Sequence, residues 1–210
     1  MTKKPTAQIL AQAVSPEHTD GRIQRSHDSQ QRIVAAMIEL VAEGDLTPSA
    51  EEVALRAHVG LRSVFRHFKD MDSLYREIST AVAVSMERFV REPFKSTEWH
   101  DRILELVDRR AVAFEKMTPF LRAGMLYRHR SPALKAGHER FAKTLRQIVI
   151  GLLPADVARD SQTVEAIDLL LSFEAWHRLR DDQGLDVAKA KRVLKGAIGA
   201  LLEPHIKTPE

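Results

Sequence analysis

Two arginines, a serine and a histidine share one side of a short helical segment in the N-terminal third of the chain. Arg62, Ser63, Arg66 and His67 lie opposite the apolar positions of a helix predicted over about 61–68. Arginine can hold the O6 and N7 atoms of guanine through two parallel hydrogen bonds, worth about 1–3 kcal/mol of discrimination. Exposed helix faces are commonly charged for solubility alone, so this face gains meaning only from the helices around it.

The first helix before this face is predicted from Asp28, with Gln31 as its capping-box partner, to Gly44. Residues 1–27 lack an amphipathic repeat, and we predict that they form a flexible N-terminal arm. The basic residues of this arm are suited to a minor-groove or phosphate contact: Lys3, Lys4, Arg22 and Arg25.

A second, short helix follows, and it has two alternative caps. Thr47 can cap it with Pro48 at the first helical position, or Ser49 can cap it with Glu52 reaching back. A three-residue turn at 58–60 then leads into the third helix. Two short helices joined by such a turn form the helix-turn-helix plan. Four apolar residues of the third helix are expected to pack inward: Leu61, Val64, Phe65 and Phe68.

The segment 46–78, LTPSAEEVALRAHVGLRSVFRHFKDMDSLYREI, resembles the DNA-binding segment of the TetR family of transcriptional regulators. In that family a threonine opens the second helix, and an aromatic-x-x-Phe pair closes the recognition helix. A polar, acid-containing turn then leads into a long fourth helix beginning with an apolar residue, here Leu74. Seven residues are the candidates for DNA contact: Thr47, Ser49, Arg62, Ser63, Arg66, His67 and Lys69.

The segment departs from the family pattern at several positions. His58 stands where the family usually has glycine, and a left-handed histidine there costs about 1–2 kcal/mol. Gly60 replaces a capping serine with a nearly equivalent cap. Phe65 replaces a tyrosine that often touches a phosphate. Met71 stands where a lysine is usual, and Lys69 is offered as the substitute phosphate contact.

The C-terminal two-thirds also reads as helices, with a long fourth helix predicted over about 70–92. Further helices are predicted at about 97–116, 119–130, 132–152, 161–182 and 187–202. The predicted fold is therefore all-α. It has an arm at 1–27, a DNA-binding domain at 28–76 and a helical effector-binding and dimerisation domain at 77–210.

Glycines inside the last helix create a thin strip that would let another helix approach closely. The resemblance implies that the last two long helices of each subunit form a four-helix dimer interface, and the alternative is that both helices pack inside one monomer. The interface candidates are Leu170, Phe173, Val193, Gly196, Ala197, Ala200 and Leu201. A homodimer would present two recognition helices to a palindromic operator.

Large apolar side chains from different helices are the candidates for a ligand pocket: Phe114, Met117, Phe120, Met125 and Trp176. Such residues also make ordinary cores, and only the resemblance implies a small-molecule effector. We expect an effector to shift the dimer between two states, with the fourth helix as the link, and to release a repressor from its operator.

Several other classes are disfavoured. The chain has no cysteine, which excludes a thiolate nucleophile and cysteine-ligated zinc. No apolar run approaches the roughly 18 residues of a membrane span, and the N-terminal segment is too polar for a signal peptide. We therefore expect a cytoplasmic protein with no membrane partner.

Catalysis has no support in the sequence. Glu174 and His177 form one Glu-x-x-His unit, whereas di-iron bundles need two such units. No Gly-x-Ser-x-Gly, phosphate-binding glycine loop or His-Glu-x-x-His is present. We expect no enzyme activity, no catalytic or metal-binding residue and no cofactor. Two rival functions stay open: an architectural DNA-binding protein, and a helical interaction protein whose helix-turn-helix has lost specific DNA binding.

Overall fold

The computed structural model describes the backbone of residues 21–206 and the side chains of residues 24–85 and 92–206, and every regular element in that range is helical. The helices are α1 (Gly21–Glu43), α2 (Ala50–Arg56), α3 (Leu61–His67), α4 (Met71–Arg91), α5 (Trp99–Tyr127), α6 (Pro132–Leu152), α7 (Ser161–Leu170), α8 (Phe173–His177) and α9 (Val187–Leu202). A π-helical turn, Arg178–Asp182, continues α8. No helix in the described range is long and apolar enough to cross a membrane. The all-α prediction is confirmed.

The chain divides into two compact units. The first unit holds residues 21–86 together with Met117–Glu139, and the second holds residues 87–116 and 140–206. Helices α4, α5 and α6 each contribute residues to both units. The predicted boundary between residues 76 and 77 lies inside α4 and within the first unit.

The first unit is built around α1, α2 and α3, which pack against one another. Each helix contributes one apolar stripe, and α4 adds Leu74 and Ile78. The buried side chains include Ile33, Met37 and Val41 of α1, Val53 and Ala54 of α2, Val64 of α3, and Phe68 directly after it. Burying a large apolar side chain stabilises a fold by about 1.5–3 kcal/mol, so this stripe is what fixes the three helices.

Local signals set the ends of α1 and α2. Gly44 has a φ of 106°, the left-handed geometry that lets it end α1 as predicted. Of the two predicted caps for α2, the structure contains the capping box. The backbone N–H of Glu52 donates to Ser49 Oγ at 3.2 Å, and the backbone N–H of Ser49 donates to Glu52 Oε2 at 2.8 Å. Such a cap contributes about 1 kcal/mol.

Helix α1 begins at Gly21, well before the predicted start at Asp28. Polar contacts one turn apart accompany this extension. The Gln24 side-chain amide donates to Asp28 Oδ1 at 2.9 Å, and the Ser29 hydroxyl donates to the Arg25 carbonyl at 3.0 Å. Hydrophobic periodicity does not register such contacts. The rest of the predicted arm, with Lys3 and Lys4, lies outside the described residues.

The prediction of two helices at about 97–116 and 119–130 was wrong, because α5 is one continuous helix with Pro119 inside it. A proline within a helix costs about 3 kcal/mol, since it removes a backbone hydrogen bond. Met117 and Phe120 flank Pro119 and are both buried. Their burial contributes about as much as the proline costs, so packing keeps the helix unbroken.

The prediction of one helix over 161–182 was also wrong, because the chain breaks between α7 and α8. Ser172 is the cap of α8, and its Oγ accepts a hydrogen bond from the Ala175 N–H at 3.1 Å. The buried guanidinium of Arg110 donates to the Leu171 carbonyl at 2.6 Å and to the Leu145 carbonyl at 2.9 Å. A buried carbonyl needs a donor, and Arg110 supplies it at the break.

Candidate nucleic-acid interface

The turn between α2 and α3 has the geometry of a helix-turn-helix. His58 has a φ of 52° and is the only non-glycine residue with positive φ in the described part of the chain. The Val59 N–H donates to the Ala54 carbonyl at 3.0 Å, which closes the end of α2. Gly60 then caps α3 with extended backbone and no side-chain hydrogen bond. The left-handed conformation costs His58 about 1–2 kcal/mol, and the turn has this conformation nonetheless.

Helix α3 presents its two arginines to solvent. Arg62 and Arg66 are exposed, whereas Val64 and Phe68 are buried against the other helices. Lys69, just beyond the helix, is exposed as well. Arg62 and Arg66 lie one helical turn apart, about 40° from each other around the helix, whereas the extended backbone of Phe68 ends the helix before Lys69. The predicted basic face is therefore present in the structure.

The prediction that Leu61 and Phe65 pack inward was wrong. Leu61 is 38% exposed and Phe65 is 48% exposed. Only one narrow stripe, formed by Val64 and Phe68, contacts the domain core. Leu61 and Phe65 form the next i, i+4 row, about 60° around the helix, where a three-helix unit has nothing to cover them. The face that carries the arginines therefore also carries a phenylalanine ring.

Ser63 and His67 flank the buried stripe on its other side and are only half-exposed. Arg66 Nη2 lies 3.5 Å from Ser63 Oγ, a weak contact within the helix. His67 Nε2 is buried and has no hydrogen-bond partner among the described residues. Burial lowers the pKa of His67, and the neighbouring Arg66 charge lowers it further. His67 is therefore a neutral residue at the edge of the face at pH 7.

The two candidates before α2 differ in availability. The Ser49 hydroxyl is occupied by the capping box, where it also donates to Glu52 Oε2 at 2.6 Å. Thr47 is exposed, and its backbone N–H donates to Asp45 Oδ1 at 3.1 Å. Arg56, at the end of α2, binds both carboxylate oxygens of Glu43, at 2.9 and 2.7 Å. Among the described residues 46–70, the cations that form no ion pair are thus Arg62 and Arg66 on α3, and Lys69.

The five ligand-pocket candidates are divided between the two units. Phe114 and Trp176 belong to the second unit, and Met117, Phe120 and Met125 belong to the first. Four of the five are buried, and Met125 is half-buried. In the second unit the Phe114 and Phe173 rings meet edge to face, with centroids 5.4 Å apart. The Trp176 Nε1–H donates to Glu115 Oε1 at 3.0 Å.

Most of the dimer candidates lie on the open side of α9. Leu194, Ile198 and Leu202 form the buried side of this helix, and Lys195 Nζ binds Asp108 Oδ2 at 2.6 Å. The candidates on the open side or at its edge are Val193, Gly196, Ala197, Ala200 and Leu201, and on the preceding helices Leu170 is half-buried. Phe173 is buried inside the second unit.

Sequence reasoning missed three residues. Leu169, on α7, is 65% exposed, the second most exposed large apolar side chain described. Arg110 has apolar neighbours one helical turn away on both sides, namely Leu106, Val107, Ala113 and Phe114, and this pattern was its only signal in the sequence. Tyr127 stacks on Tyr75 inside the first unit, a pairing that no local spacing reveals.

The lone Glu-x-x-His unit lies in α8. His177 stacks on the Phe173 ring with centroids 5.6 Å apart, and its Nε2 lies 3.8 Å from Asp181 Oδ2. Among the described residues, no group of three or more histidine, aspartate or glutamate side chains is arranged to hold a metal ion. His177 is thus packed against an aromatic ring rather than grouped with further ligands.

No protein-family model matches the sequence, and no curated protein matches it significantly. Solved structures do. A transcriptional regulator from Rhodococcus sp. Rha1 superposes with a TM-score of 0.65 at 17% identity, covering 84% of this chain and 97% of that one. The multidrug binding protein EbrR, complexed with imidazole, gives 0.60 at 20% identity, covering 93% and 99%. A TetR transcription regulator from Haloarcula marismortui gives 0.60 at 14% identity, covering 85% and 98%. The chain has the fold of the TetR-type transcriptional regulators.

Proposed function

We propose that this chain is a sequence-specific, double-stranded DNA-binding transcriptional regulator that acts in the cytoplasm. The observation that carries the proposal is the exposed basic face of α3, with Arg62 and Arg66 one helical turn apart on a helix held by a helix-turn-helix. Such a helix fits the major groove, where arginine pairs with guanine. We infer that Lys69, which is exposed just beyond the helix, contacts a phosphate and adds affinity without base preference.

The proposed regulator is a homodimer that binds a palindromic operator. Support comes from the second unit, where α7 and α9 pack together and leave apolar side chains in solvent. Leu169 is 65% exposed and Val193 is 48% exposed, and Gly196 and Ala200 make the surface beside Val193 thin. A second copy would bury these groups, and a dimer would present two recognition helices to successive half-sites.

A small-molecule effector completes the proposal. It is supported by the fold shared with EbrR, which is described as a multidrug binding protein. An effector that binds one state of the dimer more tightly shifts the population to that state. If that state fits the operator poorly, the effector releases the repressor. No catalytic step is assigned to the chain.

The test is binding of the purified protein to the DNA flanking its own gene and to random DNA of equal length, across a salt series. We expect one imperfect palindrome to bind about a thousandfold tighter than random DNA, with affinity falling steeply as salt rises. The variant Arg62→Ala, Arg66→Ala should lose that preference. Its matched control is Arg178→Ala, an exposed arginine of the second unit. Equal, weak binding to all DNA, including a random pool carried through selection, would overturn the proposal and favour an interaction protein.

A further inference from the structure

We propose that Phe65, together with Leu61, reads the 5-methyl group of thymine in the operator. This inference rests on the proposed function. It adds thymine to guanine as a base that the recognition helix is proposed to distinguish. It follows from the exposed apolar row on α3, which the hydrophobic pattern alone would have placed in the core.

The ring of Phe65 is not needed to hold α3 in place. Val64 and Phe68 already fill the contact with the domain core, and both are buried. Phe65 instead leaves 48% of its surface in water. Exposing apolar side chains loses the favourable free energy of burying them, so an exposed row of two large apolar residues beside a charged face indicates a partner that covers it.

The position of Phe65 on α3 selects the partner. Going around the helix at about 100° per residue, the exposed sector of α3 runs from Leu61 and Phe65 to Arg62 and Arg66. The apolar row is therefore bordered by cations on its exposed side. Duplex DNA is a partner that is anionic outside and carries apolar groups within a groove that admits a helix.

In the major groove only thymine presents a methyl group, and the other bases present polar edges at that position. Phenylalanine and leucine have no side-chain donor or acceptor, so neither can replace a hydrogen bond to guanine, cytosine or phosphate. Leu61 and Phe65 are four residues apart, about 6 Å along the helix axis. We therefore expect thymines within about two base-pair steps of each other, next to the guanines that Arg62 and Arg66 contact.

The experiment begins with an operator selected from a random duplex pool by the full-length protein. Each thymine is then replaced singly by deoxyuracil, which removes the 5-methyl group and leaves base pairing and the phosphates unchanged. We expect wild-type affinity to fall about fourfold at one or two positions of each half-site, the loss of roughly one buried methyl group. The other thymine positions should change little.

Protein variants then assign the effect to the side chain. Phe65→Ala should bind the thymine and deoxyuracil operators equally at the position that Phe65 contacts, and Phe65→Leu should keep part of the preference. The matched control is Val112→Ala, a 50% exposed apolar residue of the second unit, which should keep the full preference. Arg62→Ala should bind more weakly but still distinguish thymine from deoxyuracil.

The outcomes separate this inference from the proposed function. Specific binding with no loss at any deoxyuracil position overturns the thymine contact and leaves the regulator intact. That result, accompanied by sharp DNA bending, would identify the apolar row as a minor-groove wedge instead. Failure to select any sequence overturns both proposals. The deoxyuracil scan uses wild-type protein, so it decides the question even if Phe65→Ala does not fold.

Discussion

The rings of Tyr75 and Tyr127 stack with their centroids 3.7 Å apart and their planes 27° apart. The Tyr75 hydroxyl lies 3.3 Å from the Leu46 carbonyl oxygen, just before α2. Burial raises the pKa of Tyr75, and its contact with Tyr127 raises it further, so the phenol stays neutral. These contacts tie the end of α5 to α4 and to the approach to the helix-turn-helix, all within the first unit.

Loss of the tyrosine stack should destabilise the first unit. We expect Tyr127→Ala to lower the free energy of unfolding by about 2–3 kcal/mol, because it removes both a ring contact and buried apolar area. Tyr75→Phe keeps the stack and loses the hydroxyl contacts with the Leu46 carbonyl and with Tyr127, so it should cost about 0.5–1.5 kcal/mol. Urea denaturation measures both variants. Equal, near-zero effects would show that the stack contributes nothing to stability.

Arg110 should be among the most sensitive charged residues of the second unit. Arg110→Met removes two donors, one to the Leu171 carbonyl at the break between α7 and α8 and one to the Leu145 carbonyl inside α6, which we expect to cost about 2–4 kcal/mol. Arg178→Met, at an exposed ion pair, is the matched control and should cost less than about 0.5 kcal/mol. Denaturation midpoints compare them. Similar stabilities of the two variants would contradict this role for Arg110.

Glu105 should stabilise the second unit at neutral pH and lose that stabilising effect in acid. Hydrogen bonds from Arg109, and then from the Ser96 and Lys95 backbone N–H groups, lower the pKa of Glu105 from 4.5 to about 2. A carboxyl with a lowered folded-state pKa stabilises the fold above its unfolded-state pKa, and that contribution is lost as pH falls through the folded-state value.

Glu105→Gln tests this pH dependence. The difference in unfolding free energy between wild type and this variant should be largest above pH 4.5 and should shrink as pH falls from 4.5 to 2. Urea midpoints at half-unit pH steps measure it. Glu98→Gln, at an exposed position nearby, is the control. A constant difference across that range would mean that the Glu105 contacts do not favour the ionised form.

The arginines proposed to contact bases and the lysine proposed to contact a phosphate should respond differently to substitution. Arg62→Ala should cost about 1–3 kcal/mol on the selected operator and relax the preference at one base pair. Lys69→Ala should weaken all sequences about equally and reduce the salt slope by about one. Fluorescence anisotropy against operator and random duplexes measures both. An unchanged salt slope for Lys69→Ala would show that Lys69 makes no phosphate contact.

A charge on the open apolar surface of the second unit should prevent dimerisation. Leu169→Glu and Val193→Glu would each place a carboxylate in the proposed interface, where it has no partner. We expect sedimentation velocity to show monomers for either variant and dimers for Val112→Glu, whose side chain is 50% exposed elsewhere in the unit. A dimer that survives both substitutions would place the interface on another surface.

The sequence determined the class of the fold and the position of its basic face. Local signals predicted the end of α1 at Gly44 and gave the Ser49–Glu52 pair as one of two alternative caps of α2, the one that the structure contains. Arg62 and Arg66 were predicted to be exposed because they lie opposite Val64, and the structure confirms this. These features depend on residues within one or two helical turns, so the chain alone specifies them.

Tertiary structure decided what depends on the amount of surface that a neighbour covers. Apolar character predicted that Leu61 and Phe65 are buried, but a three-helix unit covers only one stripe of α3 and leaves them in solvent. Pro119 marked a predicted helix boundary, but the burial of Met117 and Phe120 offsets the free-energy cost of a proline inside α5. Arg110 reaches across 61 residues of sequence to the Leu171 carbonyl. Contacts between distant residues set these three outcomes, and local spacing carries no record of them.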